Sequence, residues 1–305
     1  MRAARIYAYG HSDQIRLEDA PRPAIGPGDV LVKVRAAGVN PVDWKIREGY
    51  FRDSMAVSFP FTLGQDFSGD VTECGPDVGG FKRGDSVFGF ASGAYAEFVS
   101  VRAGALAQKP RSIDYQMAAS IPTPGLTAYQ LIIDIIRAAK DQSILIHGAA
   151  GGVGAFAVQL ARWKGARVMA TASSEDLPEL KQLGAYEVID YKSERFEDRV
   201  KGVDAVVDLV GGETLARSYS VVKPGGIVVS IVGPPDQHQL QLKQIRGQFY
   251  RMQRDADDLK KLADLIHRGT LKVRVKQAFP LMLAKEAQDL SQGGRSHGKI
   301  VLLTD

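Results

Sequence analysis

The stretch Ser143–Ala161, SILIHGAAGGVGAFAVQLA, most restricts the folds open to this chain. An apolar run of strand length ends in a cluster of glycines, and an amphipathic run of helix length starts directly behind it. Gly151, Gly152 and Gly154 fall where the backbone must turn sharply and where bare N–H groups at a helix N-terminus can meet a diphosphate. Glycines alone would serve a tight strand-to-helix turn equally well. The next apolar strand, ARVMATA from Ala166, completes a βαβ unit, and that context favours dinucleotide binding.

The same rhythm continues beyond it. The strand-like pieces YEVIDY, VDAVVDLVG and GIVVSIVG alternate with LPELKQLG and LARSYSVVKPG, which predicts a parallel sheet flanked by helices. A further helix is predicted at Asp257–His267, with Leu259, Leu262, Leu265 and Ile266 on one face. Residues 1 to about 120 read differently. Short apolar or alternating segments such as DVLVKVRAAGV and AYAEFVSV are broken by RPAIGPGD and GPDVGGFKRGD, which predicts a small, mostly antiparallel β domain.

A Pro-rich break at Ile121–Pro124 marks the expected junction between the two. The tail returns to strand-like TLKVRVKQAF and KIVLLT around a short helix, LAKEAQDLSQ, so a last strand can rejoin the first domain. The expected fold class is α/β: a doubly wound parallel sheet over 121–267, inserted into a β domain built from 1–120 and completed by 268–305. A chain of 305 residues suits two domains.

Composition excludes several functions. The net charge is only +4, and no Lys/Arg block is present, which argues against nucleic-acid binding. No apolar run approaches membrane-spanning length, since LIIDII is interrupted by Asp134. The first residues enter ARIYAY without a charged and then apolar leader, so a cytoplasmic protein with no membrane association is expected. Cys74 is the single cysteine, which rules out an internal disulfide and any zinc site built on two thiolates. The five histidines are scattered without ligand spacing, and His147 on the strand before the glycine turn is expected to be a hydrogen-bonded core residue.

The end of the strand after the glycine turn should report which dinucleotide binds. An acidic side chain there would accept the ribose hydroxyls of NAD, whereas this chain has Thr171, Ala172, Ser173 and Ser174. Small hydroxyl side chains leave room for a 2′-phosphate and favour NADPH, although Glu175 and Asp176 follow closely. Tyr191 either flanks the adenine or 2′-phosphate region or is a surface tyrosine.

The segments AAGVNPVDWKIREGY, LGQDFSGDVTECGPDVGGFKRGDSVFGF, IPTPGLTAYQ, LIHGAAGGVGAFAVQLA, VVKPGGIVVSI and HGKIVL together resemble the medium-chain dehydrogenase/reductase superfamily. Within it the chain is similar to the zinc-free quinone oxidoreductase branch, which includes plant enone and alkenal reductases. The resemblance spans essentially the whole chain in order. It implies a GroES-like catalytic domain, a Rossmann domain, NADPH in the cleft between them, and a homodimer.

It also implies residue roles. Asn40 stands at the position of an active-site asparagine, and Lys45 replaces a tyrosine that contacts the cofactor. Thr127 resembles a threonine near the nicotinamide amide, and Ala150, Gly151, Gly152 and Val153 resemble the diphosphate turn. Ser173, Ser174 and Tyr191 fall in the 2′-phosphate region, and Ile231, Val232 and Gly233 on the backbone edge beside the nicotinamide. Tyr50 either donates a proton or packs against the pocket. Zinc alcohol dehydrogenases carry a cysteine in the segment matching GVNPVDW and His-Glu where this chain has Gln65-Asp66, so no metal is expected.

Without a Lewis acid, simple alcohol oxidation is a poor fit. Quinones and α,β-unsaturated carbonyls suit such a site, because the charge that hydride addition creates is delocalised onto an oxygen that ordinary hydrogen-bond donors can hold. The expected function is therefore NADPH-dependent reduction of a quinone or enone. The alternatives are a reductase of a different carbonyl substrate and an NADPH-binding sensor with little turnover.

Overall fold

The computed structural model describes residues 1–294 and 296–304. In chain order the elements open with β1 (Arg2–Ile6), β2 (Arg16–Asp19), β3 (Asp29–Val39), α1 (Pro41–Arg47), β4 (Phe61–Thr62), β5 (Asp66–Cys74), β6 (Ser86–Phe90), β7 (Phe98–Arg102), β8 (Leu106–Gln108) and α2 (Tyr115–Ala119). They continue through α3 (Pro122–Tyr129), β9 (Ser143–Ile146), α4 (Gly152–Trp163), β10 (Arg167–Ala172), α5 (Leu177–Leu183), β11 (Glu187–Asp190), α6 (Phe196–Arg199) and β12 (Val203–Asp208). The remainder is α7 (Gly212–Ser218), β13 (Val222–Ser230), α8 (Gln237–Lys243), β14 (Arg246–Phe249), α9 (Ala256–His267), β15 (Val275–Pro280), α10 (Ala284–Gln292) and β16 (Lys299–Leu303).

The chain divides into two compact units: one of Met1–Thr123, Arg254–Gly269 and residues from 273 onward, the other of Pro124–Gln253 and Thr270–Lys272. In the first, a seven-stranded sheet runs β15-β16-β3-β5-β6-β8 with β7 also paired to β3, beside a three-stranded sheet β2-β1-β4. The alternation in β3 buries Val30, Val32 and Val34 on one face, where they pack with Phe67, Val71, Val87, Tyr95 and Ile300. β16 returns from the C-terminal end to pair antiparallel with β3, Ile300 opposite Val39.

In the second unit six strands run β11-β10-β9-β12-β13-β14, every pair parallel. This is the doubly wound order, in which strand succession reverses between β9 and β12 and ligands bind beyond the carboxyl ends of the strands. Its core joins Leu145, Ile189, Val206 and Val228 with Phe196 and Tyr219. Among the described residues no helix is long and apolar enough to cross a membrane.

Two details differ from the sequence reading. The boundary between the units falls inside the Pro-rich segment, between Thr123 and Pro124, but the chain there is not a break: it starts α3, with Pro122 at its first position, where the missing N–H has no intrahelical partner to lose. The second is α9, which belongs to the first unit and packs on β8 instead of ending the α/β domain. Asp255 caps α9 by accepting from the backbone N–H groups of Asp257 and Asp258. Burying Leu259, Leu262, Leu265 and Ile266 is worth about 1.5–3 kcal/mol each, and periodicity specifies that face without naming what covers it.

Candidate active site

The glycine turn joins β9 to α4. α4 starts at Gly152 with no side-chain cap and no acidic residue in its first turn, so its N-terminal N–H groups and dipole are left for an anion. A Cβ on Gly151 would meet only the Gly148 carbonyl oxygen, at 3.3 Å, which leaves the outer face of the turn open to a close ligand. Gly154 differs: a Cβ there would lie 2.4 Å from the Gly148 oxygen and 2.5 Å from Ala149 Cα. Gly154 thus serves the packing of the turn itself, while Ala150, Gly151, Gly152 and Val153 form a cradle that fits a diphosphate.

Because β9 to β13 are parallel, the segments that leave β10, β11 and β13 emerge at the same sheet edge as this turn. Ser173, following β10, is buried and donates its hydroxyl to Asp176 Oδ2 at 2.8 Å. A 2′-phosphate would have to take that hydroxyl from the carboxylate. Ser174 is exposed, and Tyr191, following β11, is 60% exposed.

Beyond β13, the N–H groups of Val232 and Gly233 donate to Ser230 Oγ at 3.1 and 3.3 Å. Ser230 in turn donates to the buried Asp208 at 2.7 Å. Asp208 also accepts from Val210 N and Gly211 N, so it braces the ends of both β12 and β13. The backbone edge Ile231–Gly233 is therefore rigid, and Asp208 and Ser230 are supporting residues that sequence reasoning did not single out. Thr127 is buried on α3 in the same unit. His147 is a core residue as expected: its ring nitrogens face Thr171 Oγ1 at 3.0 Å and Ser218 Oγ at 3.1 Å, and burial pushes its pKa down to about 4.

In the first unit Asn40 sits just ahead of α1 and is 3% exposed. Its Nδ2 donates to Asp66 Oδ2 at 2.8 Å, and its Oδ1 accepts from Lys299 Nζ at 2.6 Å. The ammonium also donates to the Val39 carbonyl at 3.0 Å. The register of β16 against β3 makes this possible, since Ile300 opposite Val39 brings Lys299 across from Asn40. Asp66 further accepts from Thr123 N at 3.0 Å and Thr123 Oγ1 at 2.6 Å. The Asn40 amide is thus locked in one orientation by a buried cation on one side and a buried anion on the other.

Asp43, three residues on, closes the start of α1. Its Oδ2 accepts from Asn40 N at 2.8 Å and from the Tyr95 hydroxyl at 2.9 Å, while its Oδ1 is buried without a donor. It orients the loop that leads into α1. Burial pushes the Asp43 carboxyl up to about 7. The unfolded chain holds that proton only below its ordinary pKa of about 3.9. The stability linked to it is fully present below the unfolded pKa and is lost as pH rises through about 7. Asp43→Asn keeps an oxygen acceptor without the charge. It is expected to melt higher than the parent at about pH 8 and close to it at about pH 4. Thermal melts across that range check this, and a difference that does not vary with pH would overturn it.

Lys45, Trp44 and Tyr50 form a second group at the other end of α1. Lys45 is half-buried, with Nζ 5.5 Å from the centre of the Trp44 ring. Tyr50 is 68% exposed and meets Trp44 edge-on at 5.7 Å. Trp44 Nε1 is buried without an acceptor. The ammonium of Lys45 has no carboxylate partner among the described residues, so its charge is available to a ligand.

Lys299, Tyr95 and Arg254 were not singled out from sequence, and Asp66 was read only as a metal-ligand position. HGKIVL was quoted as a family segment, but nothing in it says that its lysine is buried. Gln65 Oε1 accepts from Arg254 Nη2 at 2.7 Å. Cys74, whose Sγ faces the Phe81 carbonyl and whose thiol is pushed up by burial, has the features of a structural cysteine. Among the described residues no group of three or more His, Cys, Asp or Glu side chains could hold a metal ion.

A doubly wound sheet with a glycine turn in one unit and an antiparallel sheet closed by the C-terminal strand in the other define the medium-chain dehydrogenase/reductase class. Residues 26–111 match the alcohol dehydrogenase GroES-like domain, and residues 183–302 match the zinc-binding dehydrogenase family model. Rat quinone oxidoreductase is 31% identical over 99% of this chain and 98% of its own length. The structure of the quinone oxidoreductase from Coxiella burnetii superposes with a TM-score of 0.92 at 34% identity, covering 100% of this chain and 99% of the other. That of Escherichia coli quinone oxidoreductase complexed with NADPH gives a TM-score of 0.91 at 27% identity, with full coverage of both. The chain belongs to the quinone oxidoreductase branch of the medium-chain dehydrogenase/reductase superfamily, whose members use NAD(P)H.

Proposed function

We propose that this protein is an NADPH-dependent reductase that transfers hydride to a quinone or an α,β-unsaturated carbonyl without zinc. One observation carries the reading. In the two segments where the zinc alcohol dehydrogenases carry metal ligands, GVNPVDW and Gln65-Asp66, the side-chain oxygens of Asn40 and Gln65 are taken by the cations of Lys299 and Arg254. Two fixed positive charges beside these oxygens disfavour a divalent cation.

When bound, the reduced nicotinamide supplies the hydride. The turn at Ala150–Val153 binds the diphosphate, and Ser174 and Tyr191 border the 2′-phosphate, with Ser173 contributing once it leaves Asp176. Thr127 and the edge Ile231–Gly233 hold the carboxamide end. Asn40 and Lys45 offer donors for the nicotinamide ribose or for the oxygen that gains charge, and Tyr50 returns a proton from solvent. Such positioning and electrostatic roles are what a metal-free hydride transfer asks of a protein. The resemblance carries a homodimer into the same reading.

The test is cofactor oxidation in chelator-treated buffer against one quinone and one conjugated enone, with NADPH and NADH compared. Turnover that survives chelation and is faster with NADPH is expected. Activity lost on chelation and restored by zinc would overturn the reading. Tight NADPH binding with no turnover of either acceptor would point to a sensor instead.

A further inference from the structure

Most arginines with a fixed geometry in the first unit are paired with carboxylates: Arg5 with Glu18, Arg35 with Asp70, Arg47 with Glu48 and Arg102 with Asp29. Arg254 is held differently. Its Nη2 donates to the neutral oxygen of Gln65 at 2.7 Å, and its guanidinium carbon stands 5.4 Å from the centre of the buried Phe90 ring. Its backbone is fixed by position, directly before the cap of α9, a helix anchored by the fully buried Leu259 and Leu262.

Both partners are rigid as well. The Gln65 carbonyl accepts from Ala91 N at 2.8 Å, and Phe90 pairs in register with Asp66 on the neighbouring strand. A guanidinium placed by an amide oxygen and an aromatic face is oriented without being neutralised. Its other N–H groups have no protein partner among the described residues. An exposed contact of this kind adds little to stability, so the fixed orientation calls for another purpose.

We propose that Arg254 is the oxygen-binding cation of the catalytic unit. Gln65 aims it, and Asp66, the next residue, holds Asn40. The guanidinium donates to the carbonyl oxygen of the acceptor and stabilises the negative charge that reduction places there. The proposal rests on the reductase reading above. Hydride from the reduced nicotinamide forms a new C–H bond at the conjugated carbon or the quinone ring. The displaced π pair moves to the oxygen, giving an enolate held by Arg254; a proton from water completes the saturated carbonyl, and in a quinone the attacked ring carbon also releases its other hydrogen to water as a proton, restoring the aromatic ring as both oxygens are protonated to the quinol. The nicotinamide is oxidised and the acceptor is reduced by the same two electrons.

The experiment compares the wild type with Arg254→Met and Arg254→Lys, after thermal melts verify that all three fold alike. 4-Nitrophenol, which is not reduced by hydride, mimics the enolate, and its absorbance reports its ionisation. In the wild type without cofactor, bound nitrophenol is expected to ionise at lower pH than free nitrophenol. Arg254→Met is expected to lose that shift and to bind the phenolate about 10-fold or more weakly, with the lysine variant between them. kcat/KM for the quinone or enone should fall ~100-fold in Arg254→Met, with NADPH affinity unchanged. Absence of nitrophenolate binding to the wild type, or the same shift in Arg254→Met, would overturn the proposal even if turnover is normal. A wild type that turns over neither acceptor but shows an Arg254-dependent phenolate shift would overturn the reductase reading and leave the anion site standing.

Discussion

Lys299→Met is expected to cost about 3–5 kcal/mol of stability, because it removes one partner from a buried set of charges and leaves the others in place. The ammonium of Lys299 is buried, where it neutralises the field of Asp66 and Asp43 and donates to Asn40 and Val39. Methionine fills a similar volume but returns none of this. The Asn40 carbonyl and the Asp66 carboxylate would then stay buried without a compensating cation.

Denaturant melts of Lys299→Met, Asp66→Asn and the double variant check the prediction. If the charges act as a unit, the double variant should be more stable than the sum of the single losses. Unchanged stability in Lys299→Met would mean that Asn40 is held by Asp66 alone and that the lysine contributes nothing to the site.

Gly154→Ala is expected to lower stability by about 3 kcal/mol and to weaken NAD(P)H binding as well, whereas Gly151→Ala is expected to leave stability unchanged and to weaken NAD(P)H binding alone. The new Cβ at position 154 would press on the Gly148 oxygen and on Ala149 at 2.4–2.6 Å, and both obstacles are backbone, which cannot swing aside as a side chain would. The turn that leaves β9 would have to open, pulling the cradle away from the first N–H groups of α4. At Gly151 the nearest protein atom is 3.3 Å away, so the protein accommodates a methyl group and only an approaching diphosphate feels it. Melts and NADPH titrations separate the two effects. A Gly154→Ala protein with normal melting and normal affinity would show that the turn relaxes without cost.

Much of this architecture is legible along the chain because it depends on near neighbours. The alternation in DVLVKVRAAGV, the glycine turn between SILI and FAVQLA, and the α9 face of Leu259, Leu262, Leu265 and Ile266 each lie within one element. Periodicity there states which side is buried. The return of GKIVLLTD to the first unit was also legible, as a strand pattern left over once the parallel sheet was complete. What covers α9 was not legible, since any apolar surface satisfies the same periodicity.

The two kinds of sheet, the glycine turn and the family segments are legible because each is written in spacings of a few residues that local backbone geometry enforces. The electrostatics of the site depend instead on contacts between residues far apart in the chain. Asn40 meets Lys299 across 259 residues of chain, Gln65 meets Arg254 across 189, and Arg47 meets Gln288 across 241. In the first of these the partner follows from one strand's register against another, and a shift of a single residue in β16 would turn Lys299 to the opposite face of the sheet. No local pattern carries that information, because a buried lysine and a solvent-exposed one are spelled alike.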